Sequence, residues 1–66
     1  MIKKTKSRYT YNVKYRDSTI FKHNNKQIRD LFFGELRWRL DRYGEESYPE
    51  FLDIVYEIVE EAEKSI

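Results

Sequence analysis

The sequence predicts an α+β fold in which an N-terminal β-hairpin, about residues 8–22, precedes an antiparallel helical hairpin over about 25–43 and 48–64, in the order ββαα. Three observations carry this expectation: a two-residue alternation from Tyr9 to Tyr15, a stretch of helical period from Lys26 to Tyr43, and a second amphipathic stretch that opens at Ser47-Tyr48-Pro49-Glu50. Residues 1–7 read as a basic N-terminal tail and 8–66 as a single small domain, because a chain of 66 residues with 39% apolar content fills one modest core.

In the first strand, Tyr9, Tyr11, Val13 and Tyr15 fall on one side and Thr10, Asn12 and Lys14 on the other, the pattern of a half-buried strand. Arg16-Asp17-Ser18 supplies turn residues, without glycine, before a short second strand at Thr19-Ile20-Phe21. Asn24 and Asn25 then offer a side-chain oxygen to the free amides of a following helix. That helix places Phe32, Phe33, Leu36, Leu40 and Tyr43 on one face and Ile28, Leu31 and Trp38 on another, beside Glu35 and Arg42. So much apolar circumference requires cover on two sides, which puts the helix between the hairpin and the last helix. Gly34 lies on the remaining face, where it costs roughly 1 kcal/mol relative to alanine.

Gly44 follows the last periodic residue and suits the left-handed conformation that ends a helix. Ser47 and Glu50 have the spacing of a capping box, with Pro49 in the first turn where its missing donor does no harm. The last helix places Phe51, Val55, Ile58, Val59 and Ala62 on one face. A connection of about four residues makes the two helices antiparallel neighbours.

The residues that chemistry requires are missing. His23 is the one histidine and sits in an expected loop, while Ser7, Ser18, Ser47 and Ser65 fall in a tail, a turn, a cap and a terminus, so no nucleophile–base pair is expected. There is no cysteine, so a zinc site lacks thiolates and the domain has no disulfide. The segment Gly44-Glu45-Glu46-Ser47 lacks the alternating oxygen ligands of a calcium loop, and Gly34 and Gly44 are too few for a phosphate-binding loop. A non-enzyme without catalytic residues, cofactor or metal is therefore expected. The basic N-terminus is not followed by an apolar run, which argues against a signal peptide, and no apolar stretch approaches a membrane span. A cytoplasmic protein is the expectation.

Charge is the strongest functional signal. The net charge is +1, yet residues 1–42 hold 12 Lys/Arg against 4 Asp/Glu and residues 43–66 hold 1 Lys against 8 Asp/Glu. The halves either neutralise each other on folding or form opposed patches. The candidate basic face is Lys3, Lys4, Lys6, Arg8, Lys14 and Arg16, interleaved with tyrosines that serve either as core or as stacking platforms for bases. The candidate acidic face is Glu46, Glu50, Asp53, Glu57, Glu60 and Glu61, a ladder that in a binding role offers a basic groove the same sign of charge as a row of phosphates. Arg37, Trp38 and Arg42 form a candidate hot spot, with Trp38 either covering the core under Arg42 or meeting a partner.

The order of the strand Thr10-Tyr11-Asn12-Val13-Lys14-Tyr15, a helix ending at Gly44 and a second helix starting at Ser47 is similar to that of the ribbon-helix-helix DNA-binding dimers. The resemblance implies Thr10, Asn12 and Lys14 as base readers. Arg16 to Asn25 and a long first helix depart from that family's pattern. The function expected first is binding of another macromolecule, most simply a protein, as inhibitor, adaptor or regulator, in the manner of a phage or mobile-element accessory protein. Nucleic-acid binding by the basic N-terminal half is the alternative. The surplus apolar surface of the first helix also suggests a homodimer.

Overall fold

The computed structural model describes residues 2–65. Three antiparallel strands, β1 (Ile2–Lys6), β2 (Tyr11–Tyr15) and β3 (Ser18–His23), form a meander in the order β1-β2-β3, and two helices follow, α1 (Lys26–Tyr43) and α2 (Tyr48–Lys64). The α+β class, the hairpin of residues 11–23 and the helical hairpin agree with the sequence. The strand count does not, since the expected basic tail supplies β1. Its pairing with β2, from Ile2 opposite Tyr15 to Lys6 opposite Tyr11, is made by the backbone. An edge strand of that kind needs no apolar period, and Ile2-Lys3-Lys4-Thr5-Lys6 shows none.

The β1–β2 turn runs through Ser7-Arg8-Tyr9-Thr10, closed by the Ser7 amide on the Thr10 carbonyl at 2.9 Å. Tyr9 therefore leaves the alternating face assigned to it and stands 79% exposed. The β2–β3 turn uses Arg16 and Asp17, both left-handed at φ 50° and 67°, which matches strand twist but strains residues that carry a Cβ. Val13 faces Phe21 and Lys14 faces Thr19, so Ile20 is an extra residue in β3. Its carbonyl accepts from the Tyr56 hydroxyl at 2.5 Å.

At α1, Asn25 is the cap, accepting from the amides of Gln27 (2.8 Å) and Ile28 (3.2 Å). Gly44 ends the helix at φ 87°, its amide reaching the Leu40 carbonyl at 2.9 Å. The capping box at Ser47 does not form. With φ −97° and ψ 18°, Ser47 lies outside the extended region that swings a hydroxyl over a helix end, and its side chain makes no capping bond.

α1 packs on all three strands and α2 packs along α1. Val13, Tyr15, Ile28, Phe32, Leu36, Leu40, Val55 and Val59 are the buried core. Phe21 stacks on Phe32 at 4.3 Å between centroids, Tyr56 tilts against Phe32 at 5.2 Å, and Tyr15 stacks on Tyr48 at 4.1 Å. Among these apolar groups lies one buried cation. Arg29, 6% exposed, donates from Nη1 to the Thr5 carbonyl (2.7 Å) and from Nε to Asp30 (2.8 Å), joining α1 to the edge strand.

Hydrogen bonds from Lys26 and then Arg29 hold the Asp30 carboxyl below its ordinary pKa, against the opposing pull of desolvation. A carboxyl depressed in the fold contributes stability above its unfolded pKa and loses it as pH falls through the folded value. Asp30→Asn is therefore expected to destabilise by about 1–2 kcal/mol at pH 7, a charge-assisted bond discounted for partial exposure. Urea unfolding at pH 7 and pH 3 checks this, and the gap between wild type and variant should narrow at the lower pH. Asp17→Gly relieves a left-handed residue and should stabilise by about 1 kcal/mol in the same assay.

Candidate functional site

The opposed charges of the two halves meet at few points. Among the described residues, Arg16–Glu45 (3.1 Å) and His23–Glu63 (3.8 Å) are the ion pairs that cross from residues 2–42 to residues 43–65, and the second needs a protonated histidine. The other pairs are local: Asp30 with Lys4, Lys26 and Arg29, Asp41 with Arg37, Glu35 with Arg39, and Glu61 with Lys64. Folding leaves the halves as separate patches.

The acidic patch follows α2. Glu46, in the connection before the helix, is exposed, and so are Glu50, Asp53, Glu57, Glu60 and Glu61, because the apolar period of α2 turns Val55 and Val59 into the core and these carboxylates away from it. Among the described residues, Glu61 alone of the six has a cation partner. On this helix Ile54 is also exposed.

The candidate hot spot departs from the alternative in which Trp38 covers the core under Arg42. Trp38 is 45% exposed, and the guanidinium over its ring, at 4.4 Å, belongs to Arg39. Arg42 instead lies over Tyr43, and Arg37 pairs with Asp41. The physical reason is helical spacing: Glu35 accepts from Arg39 at 2.7 Å and from the Trp38 indole at 3.2 Å, which holds the guanidinium beside the ring. These bonds, Arg39 first, hold the Glu35 carboxyl below its ordinary pKa. Tyr43, 60% exposed, contacts Trp38 at 6.2 Å and Phe51 of α2 at 5.9 Å, so a chain of rings crosses the helical hairpin. The helical period places Tyr43 on the core face, but it stands in the last turn of α1, next to the Gly44 stop, and is exposed.

The candidate basic set is divided. Lys4 turns to Asp30 and the Phe33 ring, Lys6 lies over Tyr11, and Arg16 is held by Glu45. Lys3 and Lys14 remain together as cross-strand neighbours, and Arg8 sits in the β1–β2 turn over Tyr9. Tyr11 and Tyr15 do not form a stacking platform: Tyr11 lies under Arg29, and Tyr15 is buried against Tyr48. The base readers implied by the ribbon-helix-helix order fare no better, since Asn12 is 7% exposed and accepts from Thr10 at 2.8 Å within a sheet the chain completes by itself.

His23 has a local task, its Nδ1 accepting from the Asn25 amide at 3.0 Å. Beside β1 and α1 is an open cleft lined by Ile2, Lys4, Phe33, Leu40, Tyr15 and Glu45, the last two bonded to each other. Among the described residues no group of three or more histidines or carboxylates gathers as for a metal ion, and no helix is long and apolar enough to cross a membrane. No protein-family model matches the sequence, and comparison with curated proteins and with solved structures returns no match.

The hydroxyl of Tyr15 donates to Glu45, whose same oxygen accepts from Arg16. The bond to Glu45, and after it burial, raises the Tyr15 pKa; the same bond lowers that of Glu45. A phenol raised in the fold contributes stability below its unfolded pKa and loses it as pH rises through the folded value. Tyr15→Phe should therefore lower Tm at pH 7 by a few degrees, and thermal unfolding at alkaline pH, above the ordinary tyrosine range, should bring the two proteins closer together.

Proposed function

We propose that this is a non-catalytic binding protein that acts as inhibitor, adaptor or regulator of a protein partner, presenting the outer side of its helical hairpin to a basic groove. The observation that supports this reading is the coincidence, on α1 and α2, of unpaired carboxylates with an exposed ring cluster. Interfaces draw most of their energy from a few aromatic and arginine anchors, while surrounding charges set orientation and encounter rate. Trp38 is an anchor of that kind, already fixed by Glu35 and Arg39, so little side-chain freedom remains to be lost on docking.

The carboxylates suit a groove that otherwise holds nucleic acid. With a rise of about 1.5 Å per residue, Glu50, Asp53, Glu57 and Glu60 recur every 4.5–6 Å, roughly, along the axis. That is a row of negative charge of the same order as a nucleic-acid strand, which carries about one charge per 3.4 Å. The partner class is therefore a protein with a nucleic-acid-binding groove. A self-contained inhibitor from a phage or other mobile element fits this role.

Affinity capture from the native host with wild type, Glu57→Lys/Glu60→Lys and Trp38→Ala, read by mass spectrometry and then by titration of the captured protein, tests the reading. Wild type should retain a nucleic-acid-binding protein and release it as salt rises. The charge-reversed protein, with native-like CD, should bind it at least about tenfold more weakly, and Trp38→Ala should cost about 1–3 kcal/mol of binding. Equal capture by all three would sink the proposal.

A further inference from the structure

The face of the sheet turned away from the helices has a composition that edge protection explains only in part. β1, β2 and β3 contain no acidic residue. Phe21, Val13 and Lys4 point to the helix side, as their contacts with Phe32, the core and Asp30 require. By alternation the opposite face carries Lys3 and Thr5 from β1, Asn12 and Lys14 from β2, and Lys22 from β3. Lys3 is directly opposite Lys14, and Lys22 is opposite Asn12. Among the described residues none of the three lysines has a carboxylate partner, and the Thr5 hydroxyl is buried without a hydrogen-bond partner.

Lysines on edge strands discourage pairing with other chains, which accounts for Lys3 and Lys22. Lys14 is on the central strand, and a like charge directly across from it is destabilising. A single-signed face of this kind attracts a polyanion.

Two features identify which one. The rings that would stack on unpaired bases, Tyr11 and Tyr15, are on the helix side, so the open face lacks the aromatic platform of single-strand binders. What it offers is cations on three neighbouring strands, Lys3 directly opposite Lys14 and Lys22 diagonal to Lys14 at about 7–8 Å, flanked by Arg8 and the exposed Tyr9 in the β1–β2 turn. We propose that the open face of the sheet binds the phosphate backbone of double-stranded nucleic acid through Lys3, Lys14 and Lys22. The site is independent of the helical hairpin, which lies on the other side of the sheet, and the contact is with phosphates and so carries no base preference.

The test is fluorescence anisotropy of the full chain with a labelled 20-bp duplex of arbitrary sequence, and with one of its strands alone, from about 20 mM to 200 mM salt. The expected result is micromolar binding of the duplex at low salt, with log K falling against log salt at a slope near −3, roughly one unit per phosphate. Lys3→Gln/Lys14→Gln/Lys22→Gln, folded by CD, should lose this binding at least about tenfold and flatten the slope by nearly three, while Glu57→Lys/Glu60→Lys should not weaken it. No duplex binding at 20 mM salt would overturn the proposal. So would an unchanged slope in the triple variant, or tenfold tighter binding of the single strand. Light scattering covers the other occupant of matching charge, the acidic helix of a second copy: salt-reversible self-association lost in the triple variant, without duplex binding, also overturns it.

Discussion

The position of Phe32 is the constraint on which this small fold rests. Its ring is fully buried, with Phe21 of the sheet stacked on one side and Tyr56 of α2 tilted against another. Sheet, central helix and outer helix thus meet at one side chain, and Ile28, Leu36 and Leu40 continue that seam along α1. A chain of 66 residues without a disulfide has few other sources of stability, so the aromatic residues must be spent on this seam. Replacing such a ring by alanine removes several kcal/mol in comparable cores, a large fraction of what a domain of this size possesses.

Placing α1 at the centre decides where charge can go. On the buried side of α1 a charge needs partners, and the one cation there, Arg29, is bonded to a strand carbonyl and to Asp30, with its guanidinium near the Tyr11 ring. Among the described residues the other charged groups are half-buried or exposed. Since the sheet supplies only lysines and a histidine and α2 supplies mostly carboxylates, the surfaces acquire opposite signs. The polarity of the molecule is thus a product of the layer order as well as of the sequence.

Periodic features were legible in the sequence. The helical period located both helices and the alternation located β2, and the Asn25 cap and Gly44 stop followed from local chemistry. Features decided by backbone pairing or by exact dihedral angles were not. β1 is held by main-chain bonds that its side chains do not announce, and Ser47 has the right residue type for a cap but the wrong ψ. The surfaces were half legible. The acidic set follows largely from the period of one helix, and its six carboxylates are all exposed, whereas the basic set depends on strand register, which separates Lys4, Lys6 and Arg16 from Lys3 and Lys14 and adds Lys22.

The separation of charge has an energetic side that folding alone does not explain. Along α2, Glu50–Asp53, Asp53–Glu57, Glu57–Glu60 and Glu57–Glu61 stand at the spacings where like charges destabilise a helix by about 0.2–0.5 kcal/mol each. On the sheet, Lys3 opposite Lys14 adds a similar cost. Exchanging a few of these residues between α2 and the strands would convert repulsions into attractions without touching the core, because all of them lie outside it. The arrangement keeps the repulsions, and it keeps Trp38 and Tyr43 in water besides. Groups that cost stability in the free protein are compensated when each surface meets charge of the opposite sign. That is the physical ground for reading both surfaces as places of binding.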